Sequence, residues 1–305
     1  MRIIQFIEKR FWIFMTASMA LGVIYPIFTD TLMASLELLI MVMLFLVFLK
    51  LDLVQILRNL RRIWLLLYLA IMYLLIIPMA IYFFAGLFDE TIALGLLLLA
   101  AMPAGIASPA LTDLVKGNTA LSTSIVVVTS LLAPFSIPFL FNVLTPENIS
   151  IDTWEMFQTL TILIFVPIVL SQIIKNIFPK VVEKSKPAFG AITVILISLT
   201  NYAILGSQRE IIINDPLSLI WQLVILYLVC IFFHVIGYLL GWRLPRPDKI
   251  STAVTKAYLN GGMAIVLAAS FFAPNILLMM VLSSIPWNTL LAPFHWTLKK
   301  LNFSP

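Results

Sequence analysis

The chain has 305 residues, of which 62% are hydrophobic and 11% are charged, with 19 lysines and arginines against 14 acidic residues. A soluble globular domain carries about 25% charged residues, so this composition excludes one and predicts an all-α polytopic membrane protein. The chain has one cysteine, Cys230, which excludes an intrachain disulfide and a multi-cysteine metal site.

The apolar residues fall into ten long runs. Because a helix needs about 20 mainly apolar residues to cross a bilayer, each run is predicted to be one transmembrane span. In chain order, the predicted spans are 11–28, 32–49, 63–86, 91–116, 119–142, 155–178, 187–206, 217–242, 250–272 and 274–297.

The basic residues indicate how these spans are oriented. All but two of the 19 lysines and arginines lie on the side of the membrane that holds the N-terminus; the exceptions are Arg209, on the opposite side, and Lys256, inside span nine. Cytoplasmic loops are enriched in Lys and Arg. Both termini are therefore predicted to be cytoplasmic, in a multi-pass protein of a prokaryotic inner membrane. The net charge of +5 follows from this topology, so we expect the lipid bilayer and no nucleic acid as a partner.

Span four contains an unusual stretch, MPAGIASPALTDLVKGNTALS, from Met102 to Ser122. Pro103, Gly105 and Pro109 lie within seven residues of one another. Each of them weakens a helix or removes an amide donor, so the helix is predicted to break here. Broken backbone at membrane depth leaves polar groups that are costly unless they face protein, water or a ligand. The break therefore indicates a binding site.

Span nine has a matching interruption at Leu259-Asn260-Gly261-Gly262. The pentapeptide Leu-Leu-Ala-Pro-Phe follows each interruption, at 131–135 and at 290–294. Paired interruptions in two halves are typical of secondary transporters built from repeats. Ten spans divide into five and five, and an odd number per half makes the second half enter the membrane from the opposite side. We therefore predict two inverted five-helix repeats, 1–144 and 145–305.

Residues around the two interruptions are candidates for binding an anion, because half-helix N-termini present free amides and a positive dipole end. The candidate substrate-binding residues are Ser108, Pro109, Thr112, Asn260, Gly261 and Lys256. A lysine inside a span is costly and is expected to face the protein interior or a cavity. Lys256 is expected either to reach the cytoplasmic interface or to act as counter-ion to Asp113 or to an anionic substrate.

The same regions resemble the bile acid:sodium symporter family. The resemblance rests on PAGIASPALTDLVKGNTALS followed by VTSLLAP, on LNGGMAIVLAASFF, and on the segment from His234 to Gly241. It implies ten helices in two inverted repeats, with broken helices 4 and 9 crossing near the midplane and organic anions binding beside them. It also implies a core domain of helices 3–5 and 8–10 and a panel domain of helices 1, 2, 6 and 7.

The resemblance implies only a degraded sodium site. The remnants of the family's cation sites are Ser108, Ser122, Thr255 and Tyr258. Thr255 stands where the family has a bridging glutamate, and a hard cation usually needs a carboxylate among its oxygen ligands. The ammonium of the neighbouring Lys256 is hypothesised to replace the lost cation, so sodium coupling is expected to be weak or absent. The alternative is one weakly bound sodium ion on backbone carbonyls; no other cofactor is expected.

The function predicted is secondary transport of an organic anion, bile-acid-like or a small carboxylate, by alternating access. The alternatives are an arsenite or other anion efflux carrier of the same superfamily, and a channel or non-transporting membrane sensor. An enzyme is not expected, because Asp113 lacks an aspartate partner in another span, and His234 and His295 form no metal-ligand motif. No catalytic residue and no metal site are predicted, and the oligomeric state is left open.

Overall fold

The computed structural model of the protein describes residues 6, 10–50, 62–145 and 151–300, apart from the side chains of Trp12 and Ser218. These residues form helices joined by short connections, and the described part of the chain contains no β-strand. The helices are α1 (Phe11–Ile24), α2 (Thr29–Ala34), α3 (Leu36–Lys50), α4 (Ile63–Ile71), α5 (Ile77–Gly86), α6 (Glu90–Ala101), α7 (Ser108–Leu114), α8 (Thr119–Leu144), α9 (Thr153–Ile177), α10 (Pro179–Ser207), α11 (Arg209–Asn214), α12 (Pro216–Leu240), α13 (Arg246–Ala257), α14 (Gly261–Phe271), α15 (Pro274–Leu282), α16 (Ser284–Thr289) and α17 (Leu291–Lys300).

Six helical stretches among the described residues are long and apolar enough to cross a membrane, which makes the protein a polytopic membrane protein. They are Ile63–Gly86, Thr119–Leu144, Thr153–Ile177, Pro179–Ser207, Leu219–Leu240 and Pro274–Lys300. These six coincide with predicted spans three, five, six, seven, eight and ten. Predicted spans one and two contain the shorter helices α1 and α3 (14 and 15 residues), and spans four and nine are each divided into two helices. The count of ten spans stays a prediction.

The outer surface of these helices is apolar, as a membrane environment requires. Large side chains such as Trp64, Phe84 and Phe88 are exposed, and contiguous exposed apolar surface is rare in soluble monomers.

Two compact units make up the chain: residues 1–52 with 159–219, and residues 53–158 with 220–305. Both units take residues from each half of the sequence. The division into inverted repeats, 1–144 and 145–305, concerns internal symmetry and stays a prediction.

In the first unit, α10 packs closely along α1. A Cβ atom on Gly22 would lie 2.5 Å from the carbonyl oxygen of Tyr202, so the two backbones approach because this residue has no side chain. The hydroxyl of Tyr202 donates a hydrogen bond to the Tyr25 carbonyl (2.6 Å), where α1 ends. At the other end, Leu46 and Phe189 belong to a buried apolar cluster between α3 and α10.

The second unit contains both interrupted helices, α6 with α7 and α13 with α14, as well as α4, α5, α8, most of α12, and α15 to α17. A π-helical turn, Met72–Ile76, joins α4 to α5. Proline and polar caps set many of the helix ends: Pro216 and Pro274 stand at the first residue of α12 and α15, where a missing amide hydrogen costs nothing.

Candidate functional site

The first predicted interruption is present, and its residues explain it. Helix α6 starts after Asp89, whose side chain accepts a hydrogen bond from the Ile92 amide (2.7 Å), and it ends at Ala101. Pro103 disfavours helical geometry in the residue before it, and Met102 is extended, with φ −62° and ψ 141°. The chain stays non-helical until α7 begins at Ser108.

The second predicted interruption is also present. Helix α13 ends at Ala257, and α14 begins at Gly261. Asn260 is the N-cap of α14, and its side-chain oxygen accepts a hydrogen bond from the Met263 amide (3.3 Å). The cap satisfies one of the amides that the start of a helix leaves unpaired.

The two interruptions pair with each other through their backbones. Ala104 and Leu259 form an isolated antiparallel bridge. The amide of Gly105 donates to the carbonyl of Tyr258 (2.7 Å), and the amide of Asn260 donates to the carbonyl of Pro103 (2.9 Å). We refer to residues 102–107 and 258–260, paired in this way, as the crossover. Each segment satisfies polar groups that the other leaves without a helical partner.

Gly105 permits this approach. A Cβ atom there would lie 2.6 Å from the carbonyl oxygen of Leu259 and 2.9 Å from that of Tyr258, too close for any side chain to fit without movement of the backbone.

Hydroxyl groups bond to both segments of the crossover. Ser108 donates from Oγ to the Tyr258 carbonyl (2.9 Å), and the Ala104 amide donates to Oγ1 of Thr129 in α8 (3.2 Å). One turn beyond Ser108, Thr112 donates from Oγ1 to Oγ of Ser122 (3.1 Å). The structure therefore brings together the predicted residues Ser108, Thr112 and Ser122, and all three are buried.

Lys256 lies in the interior beside the crossover, with its side chain fully buried. Its Nζ donates to the carbonyl of Ala100 (2.8 Å) and to the carbonyl of Tyr73 (3.1 Å). The ammonium also lies 4.7 Å from the ring centroid of Phe233 and 5.5 Å from that of Tyr73, within the range of cation–π attraction. Of the two positions expected for this lysine, the structure shows the interior and not the cytoplasmic interface.

The predicted charge pair between Asp113 and Lys256 is not formed. Asp113 is exposed on α7, whereas Lys256 is fully buried on two carbonyls, and neither residue takes part in a salt bridge among the described residues. The desolvation of a buried ion pair can cost more than its attraction returns, and the structure leaves Asp113 exposed.

The predicted substrate residues divide into a buried group and an accessible group. Ser108, Thr112 and Asn260 are buried and bonded within the protein, whereas Pro109 and Gly261 are partly exposed. A Cβ atom on Gly261 would meet no atom within 4 Å, so open space adjoins the start of α14. Tyr258 and Thr255, the other predicted remnants of a cation site, are buried.

Three contributions to the site were not predicted. Thr129 accepts a hydrogen bond from the Ala104 amide. Its presence as a polar residue in the apolar span 119–142 could have indicated this role. The Tyr73 carbonyl holds Lys256, and the signal was Pro78, five residues later. The third is Asp248 at the start of α13, which binds Asn118.

An apolar helical chain with two interrupted helices that meet at their breaks is typical of a secondary transporter. Residues 37–215, more than half of the chain, match the sequence model of the sodium bile acid symporter family. The chain therefore belongs to this family, and it is an integral membrane protein.

Relatives support the assignment. The chain is 32% identical to the uncharacterized sodium-dependent transporter YocS of Bacillus subtilis over 189 residues, which are 60% of this chain and 57% of the relative. It is 23% identical over 224 residues to YbaS of the same organism, covering 71% of this chain and 72% of YbaS. A probable chloroplastic sodium/metabolite cotransporter, BASS1 of Oryza sativa, is 23% identical over 59% of this chain and 44% of its own length. The match thus spans less than two thirds of YocS and of BASS1.

Proposed function

We propose that this protein is a secondary transporter that moves an organic anion, bile-acid-like or a small carboxylate, by alternating access, with weak or absent coupling to sodium. The observation that carries the proposal is the crossover: two interrupted helices hold each other by Gly105 to Tyr258 and Asn260 to Pro103 hydrogen bonds inside an apolar helical unit.

The charge around the crossover favours an anion. Lys256 contributes a buried positive charge, and no carboxylate pairs with it in the part of the chain that the structure describes. The N-terminus of α14 adds a positive dipole end next to the open space at Gly261. An anion in that space would be attracted by both, whereas a cation would be repelled.

Alternating access requires two parts that can move as bodies. The unit that contains the crossover is proposed to be the core, and the unit formed by 1–52 and 159–219 is proposed to be the panel. The chain is further proposed to lie in a prokaryotic inner membrane as two inverted repeats, with both termini in the cytoplasm. The distribution of lysines and arginines supports this orientation.

The names of YocS and BASS1 describe a sodium-dependent transporter and a sodium/metabolite cotransporter. The proposal takes from them the transport of a small organic solute. It departs from them on sodium, because Lys256 supplies a cation of its own.

The test is uptake by the purified protein in proteoliposomes, with radiolabelled taurocholate as the bile-acid probe and pyruvate as the small-carboxylate probe. Uptake of at least one probe should saturate with concentration, and unlabelled probe on the opposite side should stimulate it. Protein-free liposomes are the control. Flux that rises linearly without saturation would indicate a channel, and absence of flux for a wider set of carboxylates and sulfonates would refute the proposal.

A further inference from the structure

The main-chain acceptors around Lys256 are carbonyls that their own helices cannot satisfy. Ala100 is the next-to-last residue of α6, and the last four carbonyls of a helix lack intrahelical donors. The C-terminal end of a helix also carries a partial negative charge, which favours a cation there.

The second acceptor, the Tyr73 carbonyl, has no helical donor because it lies in the π-helical turn. Within Met72–Ile76 the hydrogen bonds run five residues back, as from the Ile77 amide to the Met72 carbonyl. The next donor in this register would be residue 78, and it would bond the carbonyl of Tyr73. Residue 78 is Pro78, which has no amide hydrogen. The Tyr73 carbonyl therefore remains for an outside donor, and the donor is Lys256.

The hydroxyl groups near Lys256 make their hydrogen bonds within the protein. Tyr73 donates from its hydroxyl to the Thr252 carbonyl (2.6 Å) and lies 3.2 Å from Oγ1 of Thr255. Thr255 in turn donates to the Ser251 carbonyl (2.7 Å). The described residues hold no group of three or more His, Cys, Asp or Glu side chains that could bind a metal.

This donor set does not fit an exchangeable sodium ion. Sodium takes several hard oxygen ligands and, in a protein interior, a carboxylate to offset the loss of hydration. Here the carboxylate is missing, two carbonyls already bind an ammonium, and that ammonium would repel a second cation across a medium of low dielectric constant.

We propose that the Lys256 ammonium is the resident cation of the crossover: it joins the end of α6 to the π-helical turn and supplies the positive charge that sodium would otherwise bring. This inference rests on the proposed transport function. Its consequence is that the anion crosses without sodium, by uniport, by exchange or with a proton.

The first experiment measures the wild-type protein in two ways. Uptake of the active probe into proteoliposomes should change by less than twofold when choline replaces sodium on both sides. In detergent, 100 mM NaCl and 100 mM choline chloride (about equal in ionic strength) should give the same melting temperature. A tenfold loss of uptake in choline, or a stabilisation specific to sodium, would overturn the inference.

The second experiment changes the lysine. Lys256→Met keeps a long apolar chain without charge and should lower uptake at least tenfold, whereas Lys256→Arg should retain part of it. Lys249→Met is the matched control, since Lys249 is partly exposed on the same helix, and it should behave as wild type. Full sodium-independent uptake by Lys256→Met would refute the role of the ammonium.

A third variant separates a cation role from simple packing. Lys256→Ser removes the ammonium, and with it the repulsion of a second cation, and leaves a space beside the Ala100 and Tyr73 carbonyls. Sodium at 100 mM, but not choline, should then bind weakly in that space and raise the melting temperature. Equal melting in both salts would contradict the inference. If no probe is taken up in either salt, the proposed function fails, and the melting temperatures of wild type and Lys256→Ser still decide the question of the cation.

Discussion

Asp248 binds the side-chain amide of Asn118, with 2.8 Å between Oδ1 and Nδ2, while its other oxygen pairs with Arg62. Asn118 is the N-cap of α8, Asp248 lies in the first turn of α13, and Arg62 immediately precedes α4. Ser251 adds a second connection, because its hydroxyl accepts a hydrogen bond from the backbone amide of Asn118 (2.7 Å). One buried carboxylate thus joins the starts of three helices.

Replacing this carboxylate should loosen all three helix starts. Asp248→Asn removes the charge opposite Arg62, and we expect it to lower the free energy of unfolding by about 1.5–3 kcal/mol, the range for a hydrogen bond to a charged group. Denaturant titration in mixed micelles measures the change. Glu183→Gln is the control, since its pair with Lys186 is on the surface and is worth about 0–1 kcal/mol. Equal effects of the two substitutions would contradict the prediction.

A methyl group at Gly105 should separate the two halves of the crossover. Gly105→Ala places a Cβ 2.6 Å from the Leu259 carbonyl, and overpacking of this kind costs about 1–3 kcal/mol. Probe uptake should fall at least tenfold together with the melting temperature. Gly86→Ala is the control, because its Cβ would be 3.9 Å from the nearest atom, and it should lose neither. Normal transport by Gly105→Ala would argue against the crossover as the functional centre.

Asn260 allows capping to be separated from charge. Asn260→Ala removes the cap of α14 and should cost about 0.5–2 kcal/mol of stability. Asn260→Asp keeps a good cap but adds a negative charge beside Gly261. It should therefore melt like wild type and yet raise the KM for an anionic probe several-fold. An unchanged KM in Asn260→Asp would place the anion elsewhere.

The first unit offers an independent test of packing. Tyr202→Phe removes the bond from the hydroxyl to the Tyr25 carbonyl and the one it accepts from the Ile27 amide (3.2 Å). We expect a loss of about 0.5–1.5 kcal/mol. Ser198→Ala on the same helix removes only a bond to Val194 one turn earlier and should change stability less. The ranking of the two by denaturant titration checks the prediction.

The sequence contains enough to predict both interruptions and the family, and the family resemblance is confirmed by the match over 37–215. Prolines and glycines act on the backbone locally, so Pro103, Gly105 and the glycines after Asn260 show their effect without knowledge of the fold. Residue type limited Lys256 to two positions, the interior or the cytoplasmic interface, because a charge within an apolar span has few alternatives; the structure shows the interior.

The partners of these residues could not be predicted from residue type. Lys256 binds carbonyls, which every residue carries, and no pattern distinguishes the carbonyl of Ala100 from its neighbours. Asp113 was the obvious counter-ion because opposite charges attract, but helix α7 turns it outward. The π-helical turn at Met72–Ile76 was not predicted; Pro78, which has no amide hydrogen, was the signal in the sequence.

Because the crossover is joined by main-chain atoms, its strength is nearly indifferent to which side chains its residues carry. The bonds themselves use no side-chain atom, and the side chains at Ala104 and Leu259 are limited by the space around them, since both residues are buried. The side chains around the crossover can therefore differ within one backbone arrangement, and under the proposed function such differences would decide which anion is bound.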